Sequence, residues 1–368
     1  MSIACESTSI MSMSRPPTYI RVVLANRPET FIDPDTFIIE TKALGDLQPS
    51  DTHVAVRVDY ISLDPAMRGW INEKESYVSP VEIGETMRAF GIGTVVKVKE
   101  GKSDGLKVGD VVKGQMGWTE YNLLRESELM KLSIQRGLDA VDYLGPLGHP
   151  GFTAYFGLLD VGKIKAGETL LVSGAAGAVG SLVCQIGKLK GCRVIAIAGS
   201  QEKCDWLEKE LGVDKALNYK DEDFYEKCKG IMAASGPRAD AGGWDVYFDN
   251  VGGDVSDFML TRMRRGARVA LCGIISQYNT TKPTGLTSYM NLISMRAKIE
   301  GFLVMDYAAR FAEAEREMAQ WILEGKLKRK FHIVEGLAKA PESINLLFTG
   351  GNTGKLIVKV SRGEERHL

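Results

Sequence analysis

Three glycines spaced three apart are the first residues in this chain arranged for chemistry. In Leu170-Leu-Val-Ser-Gly-Ala-Ala-Gly-Ala-Val-Gly180 an apolar run meets Gly174, Gly177 and Gly180, and an amphipathic segment begins at once. A glycine turn between strand and helix lets backbone approach a pyrophosphate, whose charge sits on the helix N-terminus. The strand–turn–helix context is what marks such a triplet as a dinucleotide site. Sites for NAD usually place Asp or Glu about 20 residues further on, against a ribose hydroxyl. Here the next apolar run ends Ala196-Ile-Ala-Gly-Ser200 without an acid, and Lys203 follows. A missing carboxylate beside a cation suits the 2′-phosphate of NADPH.

Metal chemistry is poorly provided for. The cysteines are Cys5, Cys184, Cys192, Cys204, Cys228 and Cys272, with no C-x-x-C pair, and before residue 150 the only Cys or His residues are Cys5, His53 and His149. A zinc alcohol dehydrogenase needs a catalytic ligand set and often a separate Cys₄ site. No metal is therefore expected. Irregular cysteine spacing also argues against a disulfide framework and for reduced thiols in the cytoplasm.

Composition excludes other classes. Lys and Arg number 46 against 47 Asp and Glu, a net charge of -1, so no basic surface is expected for nucleic acid or for an anionic membrane. No apolar run reaches 18 residues, so no membrane span is expected. Met1–Pro17 is rich in Ser and Thr but has no apolar stretch of a secretory signal, and reads as a flexible extension. The ending Arg366-His367-Leu368 is only loosely like the peroxisomal S-K-L tripeptide.

The elements that must position the glycine turn follow from periodicity. Tyr19–Leu24, Thr52–Ile61, Ile92–Val98, Asp110–Gly114 and Trp118–Leu124 read as short strands divided by turn residues, a barrel-like β-unit. From about residue 150 the pattern alternates. Thr169–Ser173, Arg193–Ala198, Lys215–Asn218, Trp244–Phe248, Arg268–Gly273 and Lys298–Val304 read as strands. Ala178–Leu189 reads as a helix with Val179, Leu182, Val183, Ile186 and Leu189 on one face. Strand–helix alternation calls for a doubly wound parallel sheet. Ala233–Gly243 reads as a polar loop, Arg310–Leu327 as a charged helix, and Ile333–Val360 as a helix and a strand returning to the first unit. The expected fold is thus α/β.

The linked motifs resemble a known family. Gly-Ala-Ala-Gly-Ala-Val-Gly-Ser181, Ala-Gly-Ser-x-x-Lys203, Asn218-Tyr-Lys220, Phe248-Asp-Asn-Val-Gly-Gly253 and Cys272-Gly-Ile-Ile-Ser-Gln-Tyr-Asn279 occur in the order seen in zinc-independent medium-chain dehydrogenase/reductases. Asp64-Pro-Ala-Met-Arg-Gly69, Pro150-Gly-Phe-Thr-Ala-Tyr-Phe-Gly157 and Gly350-Gly-Asn-Thr-Gly-Lys355 are similar to the prostaglandin reductase and alkenal double-bond reductase branch. The resemblance covers roughly residues 18–361. It implies a GroES-like β-barrel catalytic domain, 18–140 with 326–368, and a Rossmann domain, 141–325, with NADPH between them, and a homodimer.

The resemblance also implies roles. Gly177, Ala178, Val179 and Gly180 would cradle the pyrophosphate, and Lys203 and Tyr219 would hold the 2′-phosphate end. Asn250, the run Cys272, Gly273, Ile274, Ile275, Ser276, Gln277 and Tyr278, then Phe302, Leu303, Val304 and Asn352, would line the nicotinamide half. Cys272 and Phe302 are equally types that pack cores. Ala66 stands where many double-bond reductases have Tyr, which implies a larger pocket. His149 stands where the family commonly has Met, as a polar pocket residue or a structural one. The implied reaction is hydride transfer from NADPH to the β-carbon of an enal or enone, with Tyr278 as donor to the developing oxyanion. Tyr278 has rival roles, packing on the cofactor or binding its ribose. Quinone reduction, oxidation of a secondary alcohol with NADP, or cofactor binding without turnover remain alternatives, since fold does not choose among them.

Overall fold

The structure, a computed structural model, describes residues 17–74, 76–233 and 242–360. Residues 1–16 of the expected extension, Cys5, most of the 233–243 loop and Arg366-His367-Leu368 lie outside the described residues.

Six parallel strands form one sheet, in the spatial order Lys215–Asn218, Arg193–Ala198, Thr169–Val172, Trp244–Asp249, Met263–Leu271, Lys298–Gly301. Numbered along the chain this is 3-2-1-4-5-6, the Rossmann order, with its switch point between Thr169–Val172 and Trp244–Asp249. Alternation along each strand explains why both faces are covered. Leu170, Val172, Val194, Ala196, Val246 and Phe248 enter one core with Leu182, Val183 and Ile186 of the helix Ala178–Leu189. Leu171, Ile195, Ile197 and Tyr247 enter the opposite core with Phe224, Cys228 and Met232 of the helix Phe224–Ala233. The helix expected over Arg310–Leu327 runs Phe311–Leu323, burying Ala314, Met318 and Ile322 at four-residue spacing.

The other half is β-rich, and its largest sheet recruits the end of the chain. Lys355–Lys359 pairs antiparallel with His53–Ser62 and parallel with Phe331–Glu335. The sequence reading had no strand at Phe331–Glu335, whose exposure along the strand carries no clear alternation. It also lacked Phe37–Ala43, which pairs antiparallel with Thr18–Leu24. There Ile38 and Ile39 are both about half exposed, at 50% and 48%, which hides the two-residue period. Trp118–Glu120 lies before the strand Tyr121–Arg125 rather than in it. Together the halves make the expected α/β, two-domain architecture.

Candidate active site

The carboxyl edge of the parallel sheet gathers almost every residue singled out from sequence. Gly174–Gly180 follows Thr169–Val172, Lys203 lies just past Arg193–Ala198, Tyr219 follows Lys215–Asn218, Asn250 follows Trp244–Asp249, Cys272 follows Met263–Leu271, and Phe302 follows Lys298–Gly301. Ligands of open parallel sheets bind at this edge, outside the switch point.

Gly177 is the N-cap of the helix Ala178–Leu189 in extended conformation, so no side chain covers the first N–H groups of Ala178, Val179 and Gly180. Gly180 is held by close approach. A Cβ there would lie 2.4 Å from the Gly174 carbonyl oxygen. Beside this turn Asn250 donates from Nδ2 to the Ser173 carbonyl at 2.7 Å, and its own N–H donates to Ser173 Oγ at 2.9 Å.

Asp249 organises the neighbouring loop. Its buried carboxylate accepts from Ser173 Oγ (2.7 Å), Tyr247 Oη (2.9 Å), Ser256 Oγ (2.5 Å) and the N–H groups of Val251 and Gly252. Its main-chain carbonyl accepts from Cys272 and Gly273, and those of Asn250 and Val251 accept from Ile275 and Ser276. The run Cys272–Tyr278 is therefore laid directly over Asn250–Gly252. The Tyr278 hydroxyl turns back over Gly273, where a Cβ would meet it at 3.0 Å, and accepts from the Ile274 N–H at 3.4 Å. Burial raises its phenol above the ordinary value. Burial likewise pushes the Cys272 thiol up to about 12, so it is a neutral wall group. Gln277 accepts from Thr284 and closes the loop. Phe302 packs edge-on against Phe248 and fills the space over Gly157, while Leu303 is 40% exposed. Val304 packs against the core beneath.

At the far end, the Tyr219 ring lies over Gly199, where a Cβ would approach it to 2.9 Å. Lys220 stands over the same ring, and Lys203 donates to the Gly350 carbonyl at 2.8 Å. Burial, then repulsion from Lys220, lowers the Lys203 pKa. Among the described residues neither ammonium has a carboxylate within ion-pair distance. A phosphate dianion placed between them relieves that repulsion.

The β-rich half reaches this edge through two segments. Gly354 donates to the Ala176 carbonyl at 2.8 Å, bridging to the glycine turn, and buried Asn352 donates to the Gly354 carbonyl. Arg68 spans from the other side, its Nε donating to Asn279 Oδ1 at 3.0 Å. His149 opens the helix His149–Phe156, with its ring 4.1 Å from that of Phe90 and edge-on to Phe311. Burial lowers its imidazole pKa. Among the described residues no three His, Cys, Asp or Glu side chains are grouped to hold a metal ion.

A family model described as the N-terminal domain of oxidoreductase matches residues 21–132, and one described as zinc-binding dehydrogenase matches 178–323. The NADPH-dependent curcumin reductase of Escherichia coli is 40% identical over 347 residues, covering 93% of this chain and 96% of that protein. The NADP(+)-dependent 2-alkenal reductase of Nicotiana tabacum is 38% identical over 310 residues, 84% of this chain and 88% of its own. The crystal structure of CurA from Vibrio vulnificus in complex with NADPH superposes with a TM-score of 0.85 at 38% identity, covering 93% of this chain and 99% of that one. The chain belongs to the zinc-independent medium-chain dehydrogenase/reductases.

Within this family's architecture the residues fit an NADP cofactor. The uncapped helix N-terminus suits a pyrophosphate, the Gly180 contact leaves no room for a side chain under it, and the Lys203–Lys220 pair suits a phosphate. Asp249, Arg68 and Lys355 were not assigned roles from sequence. Their signal was present, since each is a charged residue set inside an apolar or glycine-rich motif, but Arg68 reaches Asn279 and Lys355 reaches Asp64 far away in the chain, and Asp249 reaches Ser173 as well as its own loop.

Proposed function

We propose that this protein reduces the C=C bond of α,β-unsaturated aldehydes or ketones, adding hydride at the β-carbon. It is an NADP-dependent oxidoreductase, and NADPH, when bound, supplies the hydride. The observation that carries the reading is the protonated Tyr278 phenol, held at the carboxyl edge next to Asn250 and Cys272, on the wall assigned to the nicotinamide half. As negative charge grows on the substrate carbonyl oxygen, Tyr278 donates a hydrogen bond to it, and a proton then reaches the α-carbon.

Gly177–Gly180 bind the pyrophosphate, and Lys203 with Tyr219 bind the 2′-phosphate end. Asn250, Cys272–Tyr278, Phe302–Val304 and Asn352 wall the nicotinamide half. In this assignment Phe302, partly buried, acts from the wall beside Phe248. Residues 18–140 with 326–360 form the substrate-facing unit, and the described residues of 141–325 the cofactor unit. The curcumin and alkenal reductases among the relatives support a conjugated substrate.

The partner is a second copy. The last strand of the parallel sheet, Lys298–Gly301, is an edge strand with Lys298, Glu300 and Gly301 exposed, and Tyr289, Met290 and Ile293 nearby in sequence are 59–79% exposed. Pairing two such edges covers the apolar surface. Among the described residues the cysteines are free, with Cys184, Cys192, Cys204 and Cys228 buried and Cys272 partly so, which supports a reducing, cytoplasmic setting. Among the described residues no helix is long and apolar enough to cross a membrane.

The test is a panel of enals, enones and quinones with NADPH, with products identified by mass spectrometry. Saturated carbonyl products are expected; an allylic alcohol from an enal overturns the assignment.

A further inference from the structure

Arg68 is 2% exposed, yet among the described residues it has no carboxylate partner. Its guanidinium is held by neutral acceptors alone: Pro28 and Thr30 carbonyls, Asn72 Oδ1 and Asn279 Oδ1. Three of these belong to its own β-rich half. The fourth belongs to the cofactor half, one residue past Tyr278. The preceding part of that loop is fixed the other way, because Ile275 and Ser276 donate to the Asn250 and Val251 carbonyls and Ser276 Oγ donates to Val251 at 2.6 Å. Tyr278 thus sits between two anchors, one on each half of the molecule. Its own hydroxyl contact, at 3.4 Å, is long.

We propose that Arg68 is a positioning residue, whose guanidinium holds Asn279 and so sets the place of the Tyr278 phenol according to how the two halves meet. An uncompensated buried cation makes charge-assisted bonds, so the Asn279 contact is stronger than an ordinary amide bond and is lost when the halves separate. The proposal rests on the reading of Tyr278 as the oxyanion donor. Arg68 itself need not touch the substrate.

Asn279 is the side chain to change, because Arg68 also ties its own half together. Asn279→Ala removes the cross-contact, and Asn279→Asp keeps an acceptor and adds the missing charge. Two measurements are made on the full protein. Amide hydrogen exchange over residues 275–284 is expected to quicken in Asn279→Ala and to stay slow in Asn279→Asp, with the β-rich half unchanged. Steady-state kinetics, run on whichever enal, enone or quinone is turned over, are expected to show kcat lowered about 10-fold or more in Asn279→Ala. KM for NADPH is expected to stay near that of the wild type, and Asn279→Asp to restore kcat. In a Tyr278→Phe background the Asn279→Ala loss should vanish, since both act through one group. Unchanged exchange, or independent losses in the double variant, overturns the proposal. If no enal or enone is reduced by the wild type, the functional reading falls, and the exchange comparison still decides whether Arg68 holds the loop.

Discussion

Lys355 donates to Asp64 at 3.0 Å, and the two residues join the family-like segments Asp64–Arg68 and Gly350–Lys355. The ammonium is 3% exposed and also donates to the Leu63 and Leu356 carbonyls at 2.7 and 3.0 Å. Lys355 directly follows Gly354, which bonds the glycine turn through Ala176. A buried pair thereby orients the backbone that bears Asn352.

Lys355→Met should destabilise the protein by roughly 3 kcal/mol, the lower end for breaking a buried pair, because Asp64 is 27% exposed and regains some solvent. Denaturant unfolding checks this, and NADPH affinity should fall with it as Asn352 loses its support. A variant as stable as wild type contradicts the assignment.

Lys203→Glu should weaken NADPH by about 10- to 150-fold, the worth of one charge-assisted bond, and NADH far less. Because Lys203 also donates to Gly350, Lys203→Met should cost both cofactors a little through that lost contact and NADPH more, through the lost phosphate bond. Titrations of each cofactor separate the two contributions. Equal losses in the Glu variant would remove Lys203 from the phosphate site.

Tyr278→Phe should slow the chemical step by about 10²–10⁴-fold in single-turnover kinetics, with NADPH affinity nearly unchanged. Burial raises the phenol, so no loss of rate from its ionisation should appear below about pH 10. Affinity falling in step with rate would instead mean that Tyr278 orients the cofactor.

His149 gives a stability change on the acid side. Its folded-state pKa is lowered by burial, so between the unfolded value, about 6.5, and the lower folded value the unfolded chain binds more protons. Stability from this group is complete above pH 6.5 and is lost as the pH falls, at no more than about 1.4 kcal/mol per pH unit. His149→Met should flatten that limb relative to wild type. Parallel pH–stability curves would show that the imidazole is not held neutral.

The parallel-sheet half was legible because its signals are local. Arg193–Ala198, Lys215–Asn218 and the helix Ala178–Leu189 occupy the expected residues, since a buried parallel strand is a continuous apolar run and a helix shows its face every three to four residues. The glycine spacing and Lys203 are likewise readable within some thirty residues. Strands with mixed exposure, Phe37–Ala43 and Phe331–Glu335, gave no such pattern and form only against their partners.

By itself, the sequence determined the α/β class, the glycine turn between strand and helix, and the family. Tertiary structure decided which charged groups meet. Arg68 finds Asn279 across 211 residues, and Lys355 finds Asp64 across 291. No local preference encodes such pairs. They exist because the sheet order brings strand ends together and burial then requires every polar group there to find a partner.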